Sequence, residues 1–212
     1  MRDPKEIVRS GYDRISEAYR GDRLDEGDGL YARYKWRFEQ VARRVEAGAA
    51  VLDLGCGCGV PLAQLLAGSY QVTGVDISPV QIERARRLVP GARFVCGDMC
   101  QVDFPPGTFA AIICLFAIIH VPTEEQAGLL AAVGRWLQPG GYFLVSVGRS
   151  NWTGEEKDWL GVEGGDMYWS HADRQTYLGW FAEQGMAVEW ERFIPEGEGG
   201  HPLFLLRKTA AE

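Results

Sequence analysis

The stretch Val51-Leu52-Asp53-Leu54-Gly55-Cys56-Gly57-Cys58-Gly59-Val60 constrains this chain more than any other. An apolar run ends in an acid and then in glycines at alternate positions. The run reads as a buried strand, and a helical pattern follows it from Pro61 to Ala67. A strand that passes through a glycine loop into a helix N-terminus builds a site of nucleotide size. Glycine reaches φ > 0 and lets a ligand approach the backbone. Spacing disfavours two familiar loops. The dinucleotide fingerprint G-x-G-x-x-G wants glycine or alanine where Val60 stands, and the phosphate loop G-x-x-x-x-G-K-[ST] wants a lysine that does not follow.

What comes next has the same form. Gln71–Asp76 reads as a second strand ending in an acid. Asp76 lies 21 residues after Gly55, near the roughly 20-residue offset at which a carboxylate caps a ribose diol in doubly wound folds. A third strand, Arg93–Cys96, leads to Asp98. A fourth, strongly apolar strand is expected over Phe109–Ile119, and a turn at Gln138-Pro139-Gly140 leads into a fifth ending near Ser146. Strands alternating with helices imply a parallel sheet. Ser78-Pro79-x-Gln81 and Thr123-x-x-Gln126 read as capping boxes. Leu129, Leu130, Val133, Trp136 and Leu137 form a core-facing stripe. Ser170 is expected to cap a last helix bearing Tyr177, Leu178 and Phe181, with Gly185 ending it. Met186–Ile194 and Leu203–Arg207 would be the final strands.

This order of parts resembles the class I S-adenosylmethionine-dependent methyltransferase family, over residues 8–148. The resemblance implies an α/β, Rossmann-like fold: a seven-stranded, mostly parallel sheet of order 3-2-1-4-5-7-6 with helices on both faces. It implies S-adenosylmethionine as cofactor. It places Gly55, Gly57 and Gly59 under the methionine and ribose, and Asp53 near the amino group. Asp76 would hold the ribose hydroxyls and Ile77 would pack on the adenine. Asp98 would accept from the adenine amine beside Met99, and Leu115 and Phe116 would meet the amino-acid end. The Asn/Asp-Pro-Pro-aromatic motif of adenine and glutamine-amide N-methyltransferases is absent after the fourth strand, and so is the Pro-Cys of cytosine C5 enzymes.

Residues 5–46 read as amphipathic helices, with Tyr12, Ile15, Ala18 and Tyr19 on one face. Trp36, Phe38, Val41 and Val45 share another. Residues 21–29 read as a hinge. The helices are expected either to close over the cofactor as a lid or to pad the sheet. Correspondingly, Tyr12 and Tyr19 either reach the cofactor carboxylate or simply pack. The chain of 212 residues is expected to be one domain. It would comprise a helical lid over 1–46, a cofactor core over 47–148, and a specificity segment with the final strands over 149–212.

The net charge is −7, and the basic residues are scattered. A nucleic-acid substrate is therefore disfavoured, and a neutral or cationic small molecule is the expected acceptor. The cluster Arg84-Ala85-Arg86-Arg87 reads as a solvated helix face. Five cysteines without a visible signal peptide read as reduced thiols. Their spacing does not suit zinc, so no metal is expected. The longest apolar run, 11 residues, is too short to span a bilayer. A cytoplasmic protein is expected, as a monomer or homodimer and with no membrane partner.

His120 stands at the carboxyl edge of the sheet, where ligands bind in open α/β folds. Its neutral form is suited to accept a proton from the acceptor; the alternative is a structural histidine capping the next helix. The segment Asn151–His171 carries Trp152, Trp159, Tyr168 and Trp169 among glycines. These aromatics either wall an apolar acceptor pocket or pin the segment to the core. Trp152, Trp169, His171 and His201 are the expected substrate contacts; Asp166 and Glu198 are further polar candidates. The reading is methyl transfer to an oxygen or nitrogen of a small hydrophobic or aromatic molecule, a carboxylate or sulfur included. A protein or peptide methyltransferase and a cofactor-binding module without turnover are its rivals.

Overall fold

Alternating burial is what turns these segments into a covered sheet. In β1 (Ala50–Leu54), Leu52 and Leu54 pack into one apolar layer while Val51 packs into the other. The computed structural model describes residues 2–23, 27, 29–196 and 199–209. Around β1 lie β2 (Gln71–Asp76), β3 (Arg93–Cys96), β4 (Phe109–Cys114) and β5 (Leu137–Ser146). Three helices join them, α3 (Leu62–Ala67), α4 (Pro79–Leu88) and α5 (Thr123–Trp136), after α1 (Pro4–Tyr19) and α2 (Gly29–Ala42) have preceded β1. Beyond β5 come a hairpin of β6 (Trp152–Glu156) and β7 (Met167–His171), α6 (Arg174–Glu183), and a second hairpin of β8 (Met186–Glu196) and β9 (Gly199–Lys208).

The main sheet has the order β3-β2-β1-β4-β5-β9-β8. Strands β1 to β5 run parallel, and β9 enters antiparallel between β5 and β8. This is the expected arrangement with the last two strands renumbered, because the β6–β7 hairpin comes first in the chain and forms a sheet of its own. Helices α5 and α6 cover one face through Trp136, Val133, Tyr177 and Phe181. Helices α2, α3 and α4 cover the other through Val41, Leu66 and Ile82. No helix among the described residues is long and apolar enough to cross a membrane.

Several local expectations are corrected. Strand β4 stops at Cys114, and the apolar residues after it form a turn in which Phe116 has φ 56° and Ile118–His120 make one 3-10 turn. Ser170 lies in β7, hydrogen-bonded to Thr123; Asp173 caps α6 by accepting from the Thr176 amide. Neither capping box closes reciprocally. Ser78 caps α4, but the Gln81 side chain accepts from Ser16 instead, and α5 has no side-chain cap. Arg84 is not a solvated residue. It is buried and donates to Ser16 Oγ, the Arg20 carbonyl and Asp22, which ties the end of α1 to α4. On α1 the buried residues are Ile7, Val8, Gly11, Ile15 and Ser16, and Ala18 is exposed. Residues 24–26 and 28 of the expected hinge, and Glu198, lie outside the described residues.

Candidate functional site

The site is assembled where β1, β2 and β4 end side by side. Gly55 leaves β1 at φ 74°, and its own amide and that of Cys56 both donate to the Val75 carbonyl at the end of β2. A Cβ on Gly55 would stand 2.2 Å from that of Ala117, so the turn after β4 fits against the loop only because the side chain is absent. Gly57 (φ 53°) donates its amide to Asp76 Oδ2 at 2.9 Å, and Ser78 donates to Oδ1 at 2.9 Å. Each oxygen keeps a further lone pair for a ligand hydroxyl.

A cleft over this loop is lined by Gly55, Gly57, Asp76, Ile77, Asp98 and Met99, with Leu115 and Phe116 at its far end. Helix α1 roofs it with Lys5, Val8, Tyr12 and Tyr19. The roof is latched: Lys5 Nζ donates to Asp98 (2.6 Å) and Glu125 (2.5 Å), and Asp13 accepts from Ser78 Oγ at 2.6 Å. Helix α1 also approaches β7 so closely that a Cβ on Gly11 would lie 2.1 Å from the Asp166 carbonyl oxygen. Of residues 1–46, α1 lies over the cleft, while α2 packs against the sheet through Val41. Asp98 is engaged by Lys5, and Glu125 and Cys100 stand beside it. The ammonium already supplies the cation of that acidic group, which does not favour a metal there.

The cleft continues to Asp53, reached along Gly55, Cys56, Gly57 and Arg20. Gly59 lies behind this surface, turned toward Val89 and Phe94. Asp53 is buried, and its carboxylate has no hydrogen bond or ion pair among the described residues. Burial pushes its carboxyl up to about 7, with the Asp76 charge adding. Burial likewise raises Asp76 to about 6, against the opposing pull of the Ser78 and Gly57 amides. A ligand with a flat base, a diol and an ammonium group at the far end would complete both carboxylates. That is the donor set of S-adenosylmethionine, and the residues present fit it.

A second cavity of 530 Å³ shares Tyr12, Tyr19, Phe116 and His120 with the cleft. Its far wall includes Trp159, Trp169 and His201, and its base Arg20, Arg33, Tyr34 and Arg37. A cavity of this size is in the range that encloses a small organic molecule. His120 sits at the junction. Its Nδ1 donates to the Tyr168 carbonyl at 2.8 Å, because a carbonyl only accepts. The neutral ring therefore has its lone pair on Nε2, where the Tyr12 hydroxyl donates at 3.0 Å. Trp169 packs on the imidazole with ring centres 4.4 Å apart. Burial lowers His120 to about 4, so the ring is neutral at pH 7.

The structure brings together Tyr12, Tyr19, Asp53, Gly55, Gly57, Asp76, Ile77, Asp98, Met99, Leu115, Phe116, His120, Trp169 and His201. It does not bring Trp152 and His171 to either cavity. Those two are register partners at the outer end of the β6–β7 hairpin. Trp152 is 49% exposed, and His171 donates to the Ser150 carbonyl. Asp166 is likewise engaged elsewhere, with Arg2 and Lys157. The roles of two residues escaped the sequence reading. Gln126 is fully buried, and its Nε2 donates to the carbonyls of Ile118, Val121 and Ser170 while Oε1 accepts from Tyr177. It thereby fixes the turn that carries His120. Arg37 lies on the buried face of α2, where its spacing from Tyr34 and Val41 would have placed it.

Comparison with known proteins adds five findings. Residues 51–141 match a family model described as a methyltransferase domain. The chain is 31% identical over 160 residues to a ubiquinone biosynthesis O-methyltransferase of Xylella fastidiosa, covering 66% of this chain and 64% of that one. It is 32% identical over 133 residues to a sterol 24-C-methyltransferase of Gibberella zeae, covering 58% and 34%. It therefore spans from about a third to just under two thirds of these relatives. Among solved structures, a magnesium protoporphyrin IX methyltransferase of Synechocystis with bound S-adenosylmethionine aligns over 99% of both chains, with TM-score 0.73 and 18% identity. A protein described as a [4+2]-cyclase aligns with TM-score 0.70 and 18% identity, over 96% of this chain and 97% of that one.

Proposed function

We infer the activity from one premise: the chain belongs to the class I S-adenosylmethionine-dependent methyltransferase family. The activity is transfer of a methyl group to an oxygen or nitrogen (a carboxylate or sulfur included) of a small apolar or aromatic molecule. The observation that carries this is the shared wall. One cavity offers Asp76 and Asp53 to a nucleoside with an ammonium tail. The other is aromatic and meets it at Tyr12, Tyr19, Phe116 and His120. The aromatic faces of Trp159 and Trp169 along its wall favour a small apolar molecule over a peptide.

S-adenosylmethionine, when bound, supplies an electrophilic methyl group. The chain supplies position. Asp76 receives the ribose hydroxyls while its own carboxylate is held by two amides. Ile77 and Met99 flank the base, and Asp53 receives the ammonium. Tyr12 and Tyr19 roof the junction, and α1 excludes water there. His120 Nε2 accepts a hydrogen bond from the acceptor once the Tyr12 hydroxyl yields its place, which turns the nucleophile's lone pair toward the cofactor. With its ring held near 4, the imidazole orients the acceptor first. Complete proton transfer to it requires an acceptor whose proton is already loosened by the attack.

The test pairs binding with turnover. Calorimetry with S-adenosylhomocysteine should show micromolar binding that Asp76→Ala weakens by about 1–3 kcal/mol, the scale of a buried partner left unpaired. With an acceptor found by screening, His120→Gln should lower kcat about tenfold if the ring only orients, and about 10²–10⁴-fold if it also takes the proton. Absence of binding to the cofactor product would end the methyltransferase reading. Binding without transfer to any acceptor would leave a cofactor-binding module.

A further inference from the structure

Helix α1 is held over the cofactor cleft in two unlike ways. From Gly11 onward it is docked backbone to backbone and through buried side chains. A Cβ on Gly11 would stand 2.1 Å from the Asp166 carbonyl oxygen, and one on Gly165 would stand 2.5 Å from Ile15. Ser16 donates to Gln81 Oε1 at 2.9 Å, and Arg84 donates to Ser16 Oγ at 2.7 Å and to the Arg20 carbonyl at 2.6 Å. A close-packed contact of this kind leaves no room to rock. The first two turns, residues 4–10, are held otherwise. Glu6, Arg9 and Ser10 make their side-chain hydrogen bonds within α1. Among the described residues, Lys5 is the one side chain of this stretch with a hydrogen bond or ion pair to the rest of the chain. Its Nζ lies 2.6 Å from Asp98 and 2.5 Å from Glu125, in the first turn of α5. The three side chains are 20%, 18% and 35% exposed, so water still reaches the bridge. Arg2, ahead of the helix, pairs with Asp166 from a half-exposed position.

We propose that the Lys5–Asp98–Glu125 bridge is an ionic strap that sets how fast the cofactor and its product exchange. The proposal rests on the methyltransferase reading. Lys5 and Val8 lie over Ile77, Asp98 and Met99, the residues assigned to the adenine, so the strap crosses the cleft at its base end. Exchange proceeds when Lys5 lets go and the first two turns of α1 lift. Lifting stops at Gly11, where a glycine weakens the helix and the docked half begins. Tyr12 and Tyr19 belong to that half, so the wall shared with the second cavity stays in place while the nucleoside end opens. The strap and the bound adenine are compatible. Asp98 accepts from Lys5 on Oδ2 and from the Cys100 amide on Oδ1, which leaves a lone pair on each oxygen for the adenine amine. The strap is thus closed in the free and the loaded protein alike, and it gates both directions of exchange equally.

The test reads rates against affinity. Association and dissociation of S-adenosylhomocysteine are followed by stopped flow on the full chain. Glu125 stands outside the cleft lining, so Glu125→Gln weakens the strap without removing a cofactor contact. It should raise both rates together, about three- to tenfold, with Kd within about twofold of wild type. Lys5→Met should speed dissociation at least as much. Raising NaCl from about 0.05 to about 0.5 M should speed both rates of the wild type and leave those of Lys5→Met within about twofold. Hydrogen exchange on the unliganded chain gives a second readout. In both variants the amides of residues 8–10 should exchange faster, and those of residues 15–19 as in the wild type. Unchanged rates in Glu125→Gln overturn the proposal. So does faster dissociation with Kd weakened in proportion, which would confine the bridge to the loaded state, and so does exchange that rises along the whole of α1. Failure of the wild type to bind S-adenosylhomocysteine would instead strike the methyltransferase reading, and hydrogen exchange would still decide whether Lys5 straps the first two turns.

Discussion

The two buried carboxylates make a sharp prediction about pH. In the free protein burial holds Asp76 near 6 and Asp53 near 7. The contacts assigned to them, two ribose hydroxyls and an ammonium, all require the ionised form. Each group must therefore lose its proton for the ligand to bind, so affinity rises with pH through both values and levels off above 7. At pH 5 Asp76 is ionised in about one molecule in ten and Asp53 in about one in a hundred. Together they weaken binding about 10³-fold, or about 4 kcal/mol, relative to pH 8. His120, held near 4, does not titrate in that window. Stability runs the other way. Both pKa values lie above their unfolded values, so the free protein loses stability as pH rises from about 4 to about 7, and the ligand restores it. Calorimetric titration of S-adenosylhomocysteine from pH 5 to 8 measures this directly. Asp76→Asn should remove the lower step and Asp53→Asn the upper one. Affinity that stays flat between pH 5 and 7.5, or that increases as pH falls, would refute the assignment of these carboxylates.

Two further predictions separate fold from site. Gly55→Ala forces a Cβ to 2.2 Å from that of Ala117 at φ 74°. It should destabilise by about 2–5 kcal/mol through left-handed strain and overpacking, seen as a Tm roughly 5–15 °C lower. Gly57→Ala meets nothing within 4 Å and shares only the positive φ, so its Tm should fall by a few degrees at most. Because Gly57 lines the cleft, cofactor-product affinity should suffer there instead. Gln126→Leu should destabilise by about 2–5 kcal/mol, since Tyr177 and the turn carbonyls lose buried partners. In the folded fraction it should also lower kcat more than it raises KM, because His120 loses its fixed aim. Unchanged kcat in a Gln126→Leu protein of lowered Tm would confine Gln126 to stability.

What was legible in the sequence follows from how far each feature reaches along the chain. The cofactor cleft is built from the residues that directly follow successive strands: Gly55 after β1, Asp76 at the end of β2, Asp98 after β3 and Phe116 after β4. A strand-by-strand reading finds these because the parallel fold brings strand ends together without long-range coincidence. The capping motifs misled because tertiary packing buries Gln81 and Gln126 and gives their side-chain oxygens other donors, the hydroxyls of Ser16 and Tyr177. The β6–β7 hairpin shows a different limit. Trp152, His171 and Trp169 share one face in register, yet only Trp169 is far enough along the strand to reach the cavity. Alternation fixes the face, and each two-residue step moves a side chain about 7 Å, so the right face can still be the wrong place. The second cavity was the least legible part for the same reason in stronger form. Its wall draws on α1, α2, the turn after β4, the connection between β6 and β7, β7 itself and the β8–β9 hairpin, six segments related only by packing. Arg37 was nevertheless available: a cation three residues after Tyr34 and four before Val41 sits on the stripe that a helix must bury. A charge on such a stripe is costly unless something answers it, and that cost is legible in the sequence before any contact is seen.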